Sequence, residues 1–233
     1  MAARQVEADP ATVTLEEAIL GRRSVRGFLP TPVPREVLER VFEWAQRTPS
    51  NCNIQPWKVF VASGAARDRI RAKLMGRVMS GAPSKPDYDY PGKFEGEYRK
   101  RQVDCAVAMY SAMSIARDDS AGRAKASLRN FELFDAPHVA FIGMHKSFGT
   151  TVGLDVGMYA QSLMLAMHAH GIASCAQGSM RYYPDLVREE FPGNDDVRIL
   201  FGISFGYEDP DVPANATRTV RDPIERSVTF KDQ

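Results

Sequence analysis

One α/β domain is what the sequence predicts, on three observations. The 233 residues are enough to bury a substantial core yet short for two domains, and 44% of them are hydrophobic against 25% charged. Segments with apolar residues at helical spacing alternate with short β-branched and aromatic runs. No internal repeat or low-complexity tract breaks that alternation.

The elements follow in order. Residues 1–14 carry Arg4, Glu7 and Asp9 but no apolar run, so they read as a solvated lead-in with no secretory signal. Residues 15–20 make a short helix halted at Gly21. A second helix begins near Pro34, with Val37, Leu38, Val41, Phe42, Trp44 and Ala45 at helical spacing, and Pro49 closes it. After the polar loop 50–56, the run 57–61 has the composition and length of a strand, and 65–78 returns to a helical pattern. Residues 80–98 are rich in Pro, Gly, Lys, Asp and aromatics, which suits a long surface loop or lid better than a core element. A helix is predicted over 103–115 and a short buried strand over 139–144, introduced by Pro137. Thr150 or Thr151 can cap a long helix that runs to His170 and stops at Gly171. Strands over 172–176 and 197–207 flank a short helix at 184–190. The tail, 209–233, holds Pro210, Pro213 and Pro223 and then an alternating stretch, 224–230, too isolated for its own hairpin; a partner subunit is one natural cover for such an arm.

A formal charge of +1, from 30 basic and 29 acidic residues, leaves no net field toward nucleic acid or an anionic membrane. Any phosphate must therefore be gripped by a local cluster. Cys52, Cys105 and Cys175 are odd in number and widely spaced, which fits neither a disulfide framework nor a zinc site and suits a reducing cytoplasm. The longest apolar segment, 153–167, is interrupted by Asp155, Gln161 and Ser162 and falls short of the about 20 residues a bilayer requires. His168 and His170, two apart on a helix, do not share a face, so no metal site is expected. Cys52 lacks a nearby His–acid pair, and neither a G-x-G-x-x-G nor a P-loop pattern is present.

Two stretches carry chemistry. Arg22-Arg23-Ser24-Val25-Arg26 gathers three guanidinium groups and a hydroxyl near a helix end, either as an anion site or as a solvated basic turn. In the second, Pro49 and Pro56 stiffen a loop bearing Ser50, Asn51, Asn53 and Gln55, whose groups can bond a polyol or a heteroaromatic edge, or satisfy the loop's own backbone.

Together, RRSVR, a helix and then PSNCNIQPW resemble the N-terminal signature of the nitroreductase family. The similarity continues through 88–101, Phe134-Asp135-Ala136-Pro137-His138, Gly153-Leu154-Asp155-Val156-Gly157, Cys175-Ala176-Gln177-Gly178 and Phe205-Gly206-Tyr207, leaving about the first dozen residues outside it. This resemblance implies an α+β, nitroreductase-like fold: a central, mainly antiparallel sheet flanked by helices, in an intertwined homodimer with C-terminal strand exchange. One FMN-binding domain would cover 15–233, with a lid-like insertion at 80–101 and a dimer-embracing tail at 209–233.

By the same resemblance, FMN lies at the dimer interface with its phosphate on Arg22, Arg23, Ser24 and Arg221, and Arg218 as a further candidate. Arg26 lies by the flavin pyrimidine; Pro49, Ser50, Asn51, Asn53 and Gln55 reach the cofactor from the other subunit; Ala176, Gln177 and Gly178 offer backbone N–H groups to the flavin edge. Tyr88, Tyr90, Phe94 and Tyr98 are the candidate lid residues for stacking on substrate. The implied activity is ping-pong hydride transfer from NADPH or NADH, through flavin N5 and with no catalytic side chain, to small electron-poor acceptors such as nitroaromatics. Glu97-Tyr98-Arg99-Lys100 also resembles reductive dehalogenases of the iodotyrosine type, and a non-enzymatic flavin-binding or sequestering protein is the alternative from another class.

Overall fold

The computed structural model describes residues 13–89 and 92–232, so most of the lead-in and Tyr90 lie outside the described residues. Strands β1 (Trp57–Ser63), β2 (His138–His145), β3 (Ala173–Gln177) and β4 (Val197–Gly206) form one antiparallel sheet in the order β1-β2-β4-β3. Because successive side chains on a strand point to opposite faces, β2 feeds two cores at once: Ala140, Ile142 and Met144 enter one cluster, Val139 and Phe141 the other. Both faces are covered, which is why this strand reads as a nearly unbroken apolar run and not as an alternation.

Helices α2 (Arg35–Ala45) and α6 (Gly153–Ala169) cover the first face with Leu38, Val41, Tyr159, Leu163 and Met167. Helices α3 (Gly64–Met79) and α7 (Pro184–Glu190) cover the second with Ile70, Leu74, Leu186 and Val187. Register slips once, between Ile142 and Gly143, leaving Leu200 of β4 as the extra residue of a bulge. A Cβ at Gly143 would fall 2.3 Å from the Arg198 carbonyl oxygen, so only glycine fits there.

Helix α1 (Leu15–Gly21) starts at a capping box: the Thr14 N–H donates to Glu17 Oε2 at 2.7 Å and the Glu17 N–H to Thr14 Oγ1 at 3.3 Å. Four expectations change. Helix α4 (Gly96–Ala112) begins seven residues earlier than predicted and takes in the end of the expected loop, because residues 96–102 lack apolar periodicity and are held instead by the i,i+4 pairs Glu97–Arg101 and Lys100–Asp104. Helix α5 (Ser120–Leu128) had no predicted counterpart; its start is the Asp119 carboxylate, which accepts the Gly122 N–H at 2.7 Å, and its apolar signal is weak. Thr150 and Thr151 sit in a 3-10 turn and do not cap α6. Among the described residues the tail forms no strand; it makes 3-10 turns at Pro213–Ala216 and Ile224–Arg226.

Candidate active site

Leaving α1, the basic strip runs along the free edge of β3. Ser24 bridges Ser174 in parallel, and the Val25 N–H donates to the Ser174 carbonyl at 3.1 Å. Val25 is thereby buried with Phe28, Phe134 and Cys175, while Arg22, Arg23, Ser24 and Arg26 stay half-exposed. Glu208 takes the Arg23 guanidinium in an ion pair, yet Arg23 Nη1 remains buried without a hydrogen-bond partner. The strip's field is felt by its neighbours. Burial, and then Arg22 and Arg23, hold the His168 imidazole below its usual range. Burial pushes the Cys175 thiol up, against the pull of Arg26, Ser24 and Arg22. His168 comes so close to the end of α1 that a Cβ on Gly21 would meet its Nε2 at 2.6 Å.

Asn215, buried in the tail, ties the two ends of the chain together. Its Oδ1 accepts the Arg26 N–H at 2.6 Å, and its Nδ2 donates to the carbonyls of Gly27 at 2.9 Å and Asp209 at 2.8 Å. Arg218 in turn donates to the Asn215 carbonyl at 2.8 Å. Of the two tail arginines, Arg218 is the one bonded to the residue that holds the strip. Arg221 is exposed and bonds within its own segment, to Thr219 Oγ1 at 3.1 Å and the Val220 carbonyl at 3.0 Å.

The amide-bearing loop is fixed at both ends and turned outward between them. Buried Asp155 of α6 accepts the Asn51 N–H at 3.1 Å. At the far end Trp57 stacks on Tyr159 with centroids 4.8 Å apart and donates Nε1–H to Gln46 at 2.9 Å. Between these anchors Cys52, Asn53 and Gln55 have φ of 48°, 56° and 46°, left-handed values that cost strain in residues with a Cβ. The Ser50 hydroxyl accepts the Gln55 N–H at 2.9 Å, and Pro49, Asn51, Asn53 and Gln55 remain exposed. Replacing Asp155 by alanine is expected to cost about 1–2 kcal/mol through the lost bond between the Asn51 amide and a carboxylate, whereas Asp155→Asn keeps an acceptor and should cost less. Urea unfolding reads the first effect, and limited proteolysis within 50–56 reads the loosened loop.

At the end of β3, Ala176 and Gly178 are exposed and Gln177 is buried. The Gln177 side chain faces inward, donating to the Asn130 carbonyl at 2.8 Å and accepting from the Ser204 hydroxyl, so the turn offers backbone outward. Facing it is part of the segment 80–101, the expected lid. A cleft of about 730 Å³ lies between Gly92, Lys93, Phe94, Arg99 and Gln102 on one side and Gly178, Ser179, Arg181 and Tyr182 on the other. The lid's first half is anchored by Asp87, which accepts from Arg188 at 2.9 and 3.2 Å and from the Ile199 N–H at 2.8 Å.

Of the predicted stacking residues, Phe94 lines this cleft. Tyr88 instead packs on the α2–α6 core with its hydroxyl buried and unpartnered, and Tyr98 is exposed with Arg101 over its ring at 5.4 Å. Glu97 pairs with Arg101 at 3.0 Å and Arg226 at 3.4 Å, and Lys100 with Asp104 at 2.7 Å. These charges are spent on the helix surface, which weighs against the zwitterion-binding lid of a dehalogenase. The sequence assigns Asp155, His168, Glu208 and Asn215 no role in the site. Only Asp155 stands within a family motif; a lone Asn in a proline-rich tail gives no signal of what it will bridge.

Arranged this way, the strip and Arg218 present guanidinium donors and a hydroxyl suited to a phosphate dianion, and the outward amides suit a polar chain or heteroaromatic edge. The sequence profile described as Nitroreductase family matches residues 19–207. Nitroreductase NfnB of Mycolicibacterium smegmatis is 41% identical over 218 residues, 92% of each chain. A 4-nitrobenzoate reductase of Pseudomonas putida is 31% identical over 94% of this chain and 96% of its own, and a chloronitrobenzene nitroreductase of Comamonas testosteroni is 31% identical over 95% and 98%. Among solved structures, the FMN-dependent nitroreductase NfnB from Mycobacterium smegmatis in complex with NADPH superposes with a TM-score of 0.88 at 40% identity, over 93% of this chain and 97% of that one.

Proposed function

This chain belongs to the nitroreductase family, and from that premise we propose that it is an FMN-dependent oxidoreductase, working as a homodimer, that takes electrons from NADPH or NADH and reduces nitroaromatics and similar electron-poor acceptors. The observation that carries the reading is the basic strip on β3 joined through buried Asn215 to Arg218, a dense cation cluster in a chain of net charge +1. Arg22, Ser24, Arg26 and Arg218 would hold the FMN phosphate and pyrimidine side, with Arg23 contributing the Nη1 that Glu208 leaves unpartnered and Arg221 available from the tail. When bound, FMN supplies the redox chemistry, passing hydride from nicotinamide to acceptor. The chain's own part is positional. Arg26 adds a fixed positive charge that favours negative charge on the reduced ring. Outward backbone at Ala176, Gln177 and Gly178 leaves room for the flavin edge, and the lid narrows the water-filled approach.

A second copy of the chain completes the site in this reading. Helix α4 buries none of its 17 residues, and Leu15, Leu20, Leu154, Val220 and Phe230 are each at least 69% exposed. Apolar exposure on that scale supports an interface between copies. The tail, 209–232 of the described residues, would embrace the partner, and Pro49, Ser50, Asn51, Asn53 and Gln55 would reach across to its FMN. No described helix is long and apolar enough to cross a membrane, and the three free cysteines suit the cytoplasm.

The test begins with purified protein loaded with FMN. A yellow dimer by light scattering is expected, bleached anaerobically by NADPH or NADH and re-oxidised by 4-nitrobenzoate. Arg22→Gln should raise the FMN dissociation constant by about tenfold or more while leaving unfolding of the FMN-free protein unchanged. Colourless protein after FMN incubation would end the reading. Bound flavin that neither nicotinamide bleaches would instead favour sequestration.

A further inference from the structure

A buried polar network lies directly behind the turn that ends β3, apart from the basic strip and the amide loop. Gln177 is 2% exposed, and Ser204 on the neighbouring β4 is fully buried between the core residues Ile203 and Phe205. The Ser204 hydroxyl donates to Gln177 Oε1, and Gln177 Nε2 donates to the Asn130 carbonyl at 2.8 Å. Each end of the carboxamide thus has the partner that fits it, since a flip would set Oε1 against a carbonyl that only accepts. No member of this network carries a charge.

The Asn130 carbonyl is itself held in place. It also accepts the Leu133 N–H at 3.2 Å, and Leu133, Phe134 and Asp135 have φ of 57°, 54° and 64°, three successive left-handed residues that each carry a Cβ. Such strain persists only where the surroundings over-determine it; here Leu133 and Phe134 are buried, and Arg129 pairs with both Glu132 and Asp135 at 2.7 Å. Beyond the turn, buried Met180 fills the hollow over Gly202, where a Cβ would meet its Cγ at 2.7 Å. The 176–178 backbone is therefore pinned from behind at two points, while Ala176 and Gly178 stay exposed. We propose that Gln177 is a positioning residue: clamped by Ser204 and the Asn130 carbonyl, its carboxamide fixes the direction in which the 176–178 backbone meets the flavin edge, and thereby helps set the reduction potential of the bound flavin. Backbone dipoles favour one charge state of the ring over another only when they are held in place. The inference rests on the oxidoreductase reading, which puts the flavin edge at this turn.

The experiment measures FMN affinity and, by redox titration against reference dyes, the two-electron midpoint potential of bound FMN in wild type, Gln177→Met and Ser204→Ala. Gln177→Met keeps the length of the side chain and removes both hydrogen bonds; Ser204→Ala removes one. In Gln177→Met the ratio of affinities for oxidised and reduced FMN is expected to change about tenfold, a potential shift of about 30 mV. Ser204→Ala should shift it in the same sense by less. A merely structural residue would weaken both forms equally and leave the potential where it was. In FMN-free protein, hydrogen exchange of the 176–178 amides should quicken in both variants. Gln177→Glu supplies a rescue, because a protonated carboxyl offers one donor and one acceptor as the amide does. Its potential should match wild type at the acid end and separate as the pH rises through the raised pKa of a buried carboxyl. This variant and Ser204→Ala decide the outcome if Gln177→Met does not fold. Unshifted potentials in the variants, in protein that nicotinamide still reduces, overturn the inference and leave the oxidoreductase reading standing. Wild-type protein left colourless by FMN overturns both. A shifted potential in protein that no nicotinamide reduces keeps the clamp and ends the enzyme reading.

Discussion

Asn215→Ala is expected to lower the unfolding free energy by about 3 kcal/mol, roughly one for each side-chain hydrogen bond removed, and to weaken FMN binding by about tenfold or more. The residue is 3% exposed, so the Arg26 amide would lose its acceptor with little water to replace it, while the carbonyls of Gly27 and Asp209 would each lose one of two donors and keep the Asp209 and Val212 N–H. Arg26 leans on this side chain and Arg218 on the same residue's backbone carbonyl, so loss of the side chain frees the strip from the segment that carries Arg218. Asn215→Asp separates the parts: a carboxylate still accepts from Arg26 but cannot donate to two carbonyls, so it should destabilise while preserving more of the FMN affinity. Urea unfolding of FMN-free protein and flavin titration measure the two quantities independently. A loss below about 1 kcal/mol for the alanine variant would show that the tail is held by something else.

Acid should destabilise the fold through His138. This imidazole is buried at the start of β2, stacked on Phe205 with centroids 5.2 Å apart; its Nε2 accepts the Val33 N–H at 2.9 Å, so Nδ1 carries the proton and donates to Ser63 Oγ at 2.6 Å. Both nitrogens are therefore satisfied in the neutral form. Burial, aided by Arg67, pushes its pKa down to about 4 from 6.5. The native state thus resists a proton that the unfolded chain accepts. Stability from this group is complete above pH 6.5, falls as the pH drops toward 4, and levels off below, a loss of about 3 kcal/mol at most. Denaturation curves at several pH values in that window, compared with those of His138→Gln, isolate the term from the carboxylates. Parallel pH dependence in the two proteins, or an imidazole NMR signal titrating near 6.5, would contradict it.

How much of this was legible depends on how local the cause is. Strand β2 and helix α6 are plain in the sequence because their apolar runs are long and the flanking Pro137 and Gly171 punctuate them. The first turns of α4 and all of α5 are not, because ion pairs along the surface and one Asp cap hold them and hydrophobic periodicity carries neither signal. Within the site, the arginine strip and the amide loop stand out as residue types in short windows. That Arg218 bonds the Asn215 carbonyl while Arg221 bonds within its own segment does not, since both are arginines in a tail of irregular spacing. Likewise Tyr88 and Phe94 look equivalent as lid aromatics, until one is seen to pack on the core and the other to line the cleft.

By itself, then, the sequence determined the alternation of elements, the near-neutral charge with its one basic strip, and the family motifs, all properties written within a few residues or a few turns. The three-layer stacking of β2, the joining of the chain's two ends at Asn215, the outward strain of the 52–55 backbone and the clamp on the Gln177 side chain were decided by tertiary structure alone. Each depends on groups separated by dozens of residues meeting at hydrogen-bond or van der Waals distance, and which pairs meet is set by how the sheet closes its two cores.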